Sequence, residues 1–324
     1  MPLFLKICLV ATLVALSGCA TVIDVQGHRG ARGLKPENTL PAFARALQLG
    51  VSTLELDVGV TRDGVVVVHH DIYLNPDTTR NAAGIWLETP VNRAFSISAL
   101  TYAQLQTYDV GRLKPDTAYQ KRYPDQQAMD NTKIPRLRDV LELVKKSGTN
   151  TVTISIETKL SPIEPQATLP PEAFVDAVLK VLAETGMASR VILQSFDWRT
   201  LRYAQKVAPY VPTVYLSAQQ KFLDNIANAD DKPSPWTSGF NIQKHKTVPA
   251  MVQAAGGWIW SPYYGDATAE NIAEAKALGL KVVVWTVNDV KQMEKMLDFG
   301  VDGIISDRPD IALKVVRGRG LRVK

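Results

Sequence analysis

The chain has 324 residues, 46% hydrophobic and 21% charged, a globular composition that suits one large α/β domain or two average ones. The net charge of +5 would help to attract an anionic substrate. No block of like charge argues for binding nucleic acid, and the basic end from Lys314 to Lys324 reads as a solvated tail.

Met1–Ser17 holds one lysine, Lys6, and then an apolar run from Ile7 to Leu16. That run is shorter than the roughly 20 apolar residues of a membrane-spanning helix and suits the core of a signal peptide. It ends in Leu16-Ser17-Gly18-Cys19, which resembles a bacterial lipobox. The resemblance implies a signal peptide of residues 1–18, a domain from 19 to 324, and lipid on Cys19. The expected place is the bacterial cell envelope, on the periplasmic side, with the outer membrane preferred over the inner. Cys8 would leave with the signal and Cys19 would remain as the only cysteine. With no internal disulfide possible, a buried core must hold the fold.

From Thr21 the chain reads strand, helix, strand. Thr21–Gly27 is apolar at Val22, Ile23 and Val25, and the glycines of 28–33 mark a loop. Asn38-Thr39 can cap a helix whose apolar positions include Leu40, Phe43, Ala44 and Leu47, with Gly50 closing it. Val51–Val60 is a second strand, Arg62-Asp63-Gly64 a turn, and Val65–Val68 a returning strand. The stretch from about 72 to 134 is turn-rich and too long for an ordinary connection, so it reads as an insertion. Helical patterns lie around Ser98–Tyr108 and Arg136–Lys146, with the polar Lys114–Asn131 between them.

Strands are then expected at Thr151–Ile156, Arg190–Leu193, Val211–Leu216, Trp258–Trp260, Lys281–Trp285 and Asp302–Ile305. Helices are expected at Pro171–Glu184, Trp198–Val207, Ala218–Ala227, Ala267–Leu278, Val290–Leu297 and Pro309–Val316, and Asn228–Ser238 reads as an exposed loop. Repeated βα units argue for a parallel sheet, and eight of them for a TIM (β/α)8 barrel with an insertion after strand 2. A doubly wound sheet is the structural alternative.

Barrel active sites lie at the C-terminal strand ends. His28, Glu55 with Asp57, Glu157 with Lys159, Gln194, Trp285 with Asn288, and Asp307 all fall there. Glu55 and Asp57 are two apart, so they share one face of their strand. Glu157 can join them, and an oxygen-only set of this kind suits Mg²⁺ or Ca²⁺. His28 and His70 are candidates for acid and base. Arg29 can clamp a phosphate through its planar fork, and Lys159 can neutralise charge growing on it. His69 and His70 leave an apolar strand on opposite faces, so only one can face the site. His245 reads as a surface residue. Trp258 and Trp260 read as packing residues, while Tyr263 and Tyr264 suit either a substrate pocket or packing.

These residues resemble the glycerophosphodiester phosphodiesterase family. The likeness runs over His28-Arg29-Gly30, Pro36-Glu37-Asn38-Thr39, Glu55-x-Asp57, Asp63-Gly64 and His70-Asp71. It continues through Glu157-Thr158-Lys159, Gln194-Ser195-Phe196, Trp285-Thr286-Val287-Asn288 and Asp302–Asp307. The resemblance implies a TIM barrel and hydrolysis of a glycerophosphodiester to sn-glycerol 3-phosphate and an alcohol. Glu55, Asp57 and Glu157 match its metal positions, His28 and His70 its acid–base pair, and Arg29 and Lys159 its phosphate contacts. Gln194 and Trp285 read as further substrate contacts, and His70 rather than His69 matches the catalytic position. In the family a glycerol hydroxyl is thought to attack phosphorus, giving a cyclic phosphate that water opens. Between Asp71 and Thr149 only fragments of the family pattern remain. Two other readings stand beside this one: a lipid-directed phosphodiesterase of the phospholipase C or D kind on the same barrel, and a non-catalytic envelope binding lipoprotein.

Overall fold

The computed structural model describes residues 21–89, 92–227 and 232–324; the lipobox and Cys19 lie outside them. Eight parallel strands form a closed barrel: β1 (Val22–Gly27), β2 (Thr53–Val60), β3 (Thr153–Thr158), β4 (Val191–Ser195), β5 (Thr213–Ser217), β6 (Ile259–Pro262), β7 (Lys281–Val284) and β8 (Gly303–Ser306). Each pairs with the next, and β8 pairs with β1 to close the ring. Closure removes the exposed edges that an open sheet would leave. Every residue of β2 is buried, as expected for a strand with barrel interior on one side and helices on the other.

Helices fill the connections: α1 (Leu40–Leu49), α2 (Leu137–Lys146), α3 (Pro171–Thr185), α4 (Trp198–Val207), α5 (Val248–Ala254), α6 (Ala269–Ala277), α7 (Val290–Asp298) and α8 (Pro309–Gly318). The start and stop of α1 follow from its ends. Thr39 is extended and its hydroxyl accepts from the Ala42 N–H, satisfying one donor that a helix N-terminus leaves free. Gly50 takes φ 82° and returns its N–H to Ala46 and Leu47, a left-handed stop that favours glycine.

After β2 the chain turns and comes back. Val66–Val68 pairs antiparallel with Val60–Val58. The His69 N–H then donates to the Asp57 carbonyl at 3.0 Å, so the hairpin returns the chain to the level of the β2 carboxylates. Val66 and Val68 face the main core, while Val67 faces out into a second one with Leu74, Leu87, Ile97, Leu105, Val110 and Ile134. Thus the described residues of 72–134 add no strand to the barrel and pack on a small core of their own.

Four expectations need correction. Ala218–Ala227 is no helix: Gln219–Gln220 and Leu223–Asp224 form a β-hairpin. Asn225 holds it through the Ala218 N–H and the Phe196 and Leu216 carbonyls, and Asp266 accepts from Gln219 and Gln220; these tertiary bonds override helix propensity. The helix around Ser98–Tyr108 shrinks to a turn at Ile97–Ala99 and the short Tyr102–Leu105, because Thr101 is extended and caps the second piece. Within the loop 232–238, Ser234 and Thr237 are buried, since the Trp236 carbonyl accepts from the Trp198 N–H and so serves the start of α4. Trp258 precedes β6 and is 69% exposed, whereas Trp260 packs as expected at 2%.

Candidate active site at the mouth of the barrel

Strand register builds the acidic centre. Asp57 on β2 is level with Glu157 on β3, and Glu157 with Gln194 on β4. Level residues on neighbouring parallel strands point the same way, and Glu55 shares the face of Asp57 by the two-residue period. One carboxylate oxygen each from Glu55, Asp57 and Glu157 falls within 4.8 Å of the others, all three side chains being buried.

Donors around the trio fix its orientation. The Gln194 amide donates to Glu55 Oε1 at 2.8 Å and the Arg29 N–H to Glu55 Oε2 at 2.8 Å. Asn38 donates to Asp57 Oδ2 at 2.8 Å. Asp57 Oδ1 is buried without a hydrogen-bond partner, an acceptor that a cation could satisfy. Burial and then repulsion by Asp57 push the Glu55 carboxyl well above its ordinary range. Burial pushes Glu157 up to about 7 against the pull of Lys159. Asp57 differs: burial acts to raise it, but His70, Arg29 and Lys159 together hold it well below the carboxylate range. Two buried acids that resist ionising, beside an ionised Asp57 with one orphan oxygen, fit a hard divalent cation.

The loop after β1 delivers the first histidine. Gly30 has φ 86°, and a Cβ there would stand 2.7 Å from the Ala42 carbonyl carbon, so the His-Arg-Gly turn needs its glycine. Arg29 itself has φ 50°, a costly conformation for a side-chain-bearing residue. It lets the Arg29 N–H meet Glu55 while the guanidinium reaches Glu37 at 2.6 Å and lies 3.4 Å from Asp57.

His28 Nδ1 is 2.6 Å from Asp307 Oδ1. Arg32 Nη2 also comes within 3.1 Å of Nδ1; because Nδ1 faces an ionised carboxylate, the proton is assigned there, and Nε2 points toward Glu55 Oε2 at 3.9 Å. Burial, then the charge of Arg32, pushes the ring down to about 4 although Asp307 pulls the other way. Arg32 supplies two N–H groups to Asp307, at 2.7 and 3.1 Å.

His70 leaves the hairpin with Nδ1 2.6 Å from Asp71 Oδ1 and Nε2 3.2 Å from Lys159 Nζ. Burial and then the cations Arg29 and Lys159 lower its pKa. Lys159 also donates to Glu157 at 2.7 Å. His69 instead turns its Nδ1 to the Asp71 carbonyl at 2.9 Å.

This centre borders one cavity of about 740 Å³, within the usual range for small-molecule sites. His28, Arg29, Glu55, His70, Glu157, Lys159, Gln194 and Trp285 line it; His69 does not. One wall is aromatic: Phe196 and Trp285 meet edge to face with centroids 5.3 Å apart. Tyr263 packs on Trp285 behind that wall at 5.5 Å.

A model of the "Glycerophosphoryl diester phosphodiesterase family" matches residues 28–311. The chain belongs to the glycerophosphoryl diester phosphodiesterase family. It is accordingly an enzyme, a hydrolase of phosphoric diesters. A glycerophosphodiester phosphodiesterase of Caldanaerobacter subterraneus is 28% identical over 91% of this chain and 98% of its own. A crystal structure described as a putative glycerophosphoryl diester phosphodiesterase of Silicibacter pomeroyi is 36% identical, with TM-score 0.82 over 94% of this chain and 96% of that one. An Oleispira antarctica phosphodiesterase in complex with the product sn-glycerol-3-phosphate shares the fold at 23% identity and TM-score 0.65, covering 91% of this chain and 97% of that one.

Six residues at or around this diesterase's site have no binding role that the sequence alone shows. Arg32, Glu37 and Asn38 lie in or beside the opening motifs, yet nothing local says what they bind. Asp307 stood out only as a strand end. Tyr119 and Tyr123 reach the cavity from the segment 72–134, and no periodicity or motif marks them.

Proposed function

We propose that this enzyme hydrolyses glycerophosphodiesters to sn-glycerol 3-phosphate and an alcohol, with His28 and His70 as its acid–base pair. The observation that carries the reading is the convergence at one cavity of Glu55 and Glu157, with Asp57 buried beside them, two carboxylate-paired histidines and the cations Arg29 and Lys159. That is the set phosphoryl transfer from a diester requires.

Glu55, Asp57 and Glu157 would hold a divalent cation, Ca²⁺ or Mg²⁺, which when bound supplies Lewis-acid stabilisation of charge on phosphoryl oxygens. Arg29 and Lys159 bind and orient the phosphate from the cavity wall. Gln194 keeps Glu55 in place and, with Trp285, borders the substrate. His28 is neutral with a free Nε2, so it takes the proton of the attacking hydroxyl. His70 gives a proton to the departing alkoxide. An arriving phosphate offsets the charge of Arg29 and Lys159, which after burial keep His70 unprotonated, and so favours the protonated ring when it is needed. Over the full cycle one water adds its oxygen to phosphorus and the phosphorus–oxygen bond to the alcohol is lost. The alcohol leaves with the proton from His70, the water restores it, and His28 returns the proton it took to the glycerol oxygen freed when the cyclic phosphate opens.

The deciding assay offers glycerophosphocholine and glycerophosphoethanolamine to the domain from residue 19 onward and measures glycerol phosphate and free alcohol. Release from neither would overturn the reading. A lipid-directed substrate has one observation in its favour: Phe222, at the cavity edge, is 65% exposed. Lysophospholipids belong in the same assay. We read Leu16-Ser17-Gly18-Cys19 as a lipobox that holds the enzyme, through lipid on Cys19, on the periplasmic side of a bacterial envelope, the outer membrane preferred over the inner.

A further inference from the structure

The segment 72–134 does more than overhang the cavity. It carries the short helix Ala118–Arg122, started by Thr117, whose hydroxyl accepts from the Gln120 N–H. Tyr119 and Tyr123 are four residues apart, on one face of that turn, and their rings meet edge to face at 5.4 Å. This face is pressed onto the loop after β1. Gln126 donates to the Arg32 carbonyl at 2.8 Å and the Gln127 N–H to the Leu34 carbonyl at 3.0 Å. Arg308 pairs with Asp125 at 2.6 Å.

Two chains of contact run from the tyrosines to the reaction centre. The Tyr119 hydroxyl donates to Glu37, whose other oxygen holds the Arg29 guanidinium at 2.6 Å. The Tyr123 ring lies under the Arg32 guanidinium, 4.8 Å from its centroid, and Arg32 grips Asp307, which orients His28. A guanidinium stacked on a ring and forked onto a carboxylate has few other orientations open to it.

We propose that Tyr119 and Tyr123 are positioning residues of the diesterase: Tyr119 sets Arg29 through Glu37, and Tyr123 sets His28 through Arg32 and Asp307. The inference rests on the roles given above to His28 and Arg29. The chains touch where Arg32 Nη1 donates to the Tyr119 hydroxyl at 3.4 Å, but they end on different functions, so their main effects separate kinetically. The Tyr123 arm serves proton transfer and so acts on kcat. The Tyr119 arm serves the phosphate clamp and so acts on KM.

The test compares Tyr119→Phe, Tyr123→Phe, Tyr123→Leu and His28→Ala with the unaltered enzyme on glycerophosphocholine. Inorganic phosphate serves as a competitive probe, and the thermal midpoint of each variant is recorded. Tyr123→Leu should lower kcat about tenfold with KM little changed, since small misplacements of a reacting group are costly. Tyr123→Phe keeps the ring and should retain turnover. Tyr119→Phe removes one oxygen and should raise KM and the phosphate inhibition constant about fivefold, the worth of one hydrogen bond, at nearly constant kcat. Equal behaviour of Tyr123→Leu and Tyr123→Phe, or unchanged phosphate inhibition in Tyr119→Phe, overturns the proposal. A proportional fall in all variants that tracks a lowered thermal midpoint also overturns it, because a merely structural role would do that. Full turnover in His28→Ala would sink the reading beneath it as well, whereas a dead His28→Ala beside wild-type tyrosine variants sinks this inference alone.

Discussion

The Asp307 carboxylate lies 2.6 Å from His28 Nδ1, and 279 residues separate the two along the chain. β8 pairs with β1 and closes the barrel, so the last strand end meets the first. Asp307 thereby fixes which nitrogen of His28 faces the carboxylate trio. Asp307→Asn should keep the cavity but weaken this orientation. We expect kcat to fall by about 10 to 10³, less than or equal to the loss in His28→Ala, where a general acid or base typically contributes 10² to 10⁴. Steady-state kinetics of both variants check the order; a larger loss in Asp307→Asn would contradict it.

The same pair governs acid stability. Burial acts to raise the Asp307 carboxyl, but Arg32 and His28 outweigh it and hold it well below the ordinary carboxylate range. A pKa depressed by folding contributes stability that is present above the unfolded value, about 4, and is lost as pH falls through the folded one. Asp307→Asn should therefore be less stable near neutral pH, by about 3–5 kcal/mol for breaking a buried pair. The gap should narrow as the pH drops below about 4. Denaturant unfolding of both proteins across pH measures it, and a gap that stays constant down to pH 2 would refute the linkage.

Binding of a divalent cation to the trio should be visible without any turnover. A ligand that binds only the native state stabilises it, by about 2.7 kcal/mol at a hundredfold excess over Kd. For a chain of this size that is a rise of several degrees, on the order of 2–4 °C per kcal/mol. Saturating Mg²⁺ or Ca²⁺ should raise the thermal midpoint of the chelated protein, and Glu157→Gln should abolish most of the rise. An unchanged midpoint at millimolar concentrations of either ion would remove the metal assignment.

Two adjacent histidines make a sharper test. His70 lines the cavity, whereas His69 does not and turns its Nδ1 to the Asp71 backbone carbonyl. His70→Ala should lower kcat by about 10² to 10⁴, and His69→Ala by less than roughly tenfold once any loss of stability is discounted. If His28 and His70 serve one proton-transfer cycle, as proposed, the double variant should lose much less than the sum of the single losses in log rate. A dead His69→Ala with an active His70→Ala would reverse the assignment.

Membrane attachment stands or falls with Cys19. Cys19→Ser should prevent lipid labelling and processing before residue 19, and should move the enzyme out of the membrane fraction. The mass of the purified protein shows the outcome; an unchanged mass and distribution would contradict the lipobox reading.

Much of the architecture was legible because barrel strands announce themselves locally. Runs such as Val51–Val60 and Lys281–Trp285 are rich in branched residues and bounded by turn formers, and their buried faces leave little room for polar variation. The strand ends were legible for the converse reason. Glu55, Asp57 and Glu157 sit where an apolar run stops, and the two-residue period fixes their common face. Ala218–Ala227 was misread because its local composition suits a helix, while its fate is set by Asn225 and Asp266, whose partners lie in other loops. Trp258 was misread because an aromatic at a strand's start carries no sign of which side of the barrel wall it will meet.

The sequence by itself determined the strand–helix alternation, the acids and histidines at the strand ends, and the family. Periodicity, turn chemistry and short motifs are local properties, readable without knowing what lies opposite. Tertiary structure alone decided the partners: Asp307 for His28, Arg32 for Asp307, Gln194 for Glu55, and Tyr119 and Tyr123 for the loop after β1. Those contacts depend on where ring closure and the packing of residues 72–134 bring distant segments together. Burial then sets the electrostatics, because the cost of charge in a closed barrel mouth pushes the His28 ring down and the Glu55 and Glu157 carboxyls up.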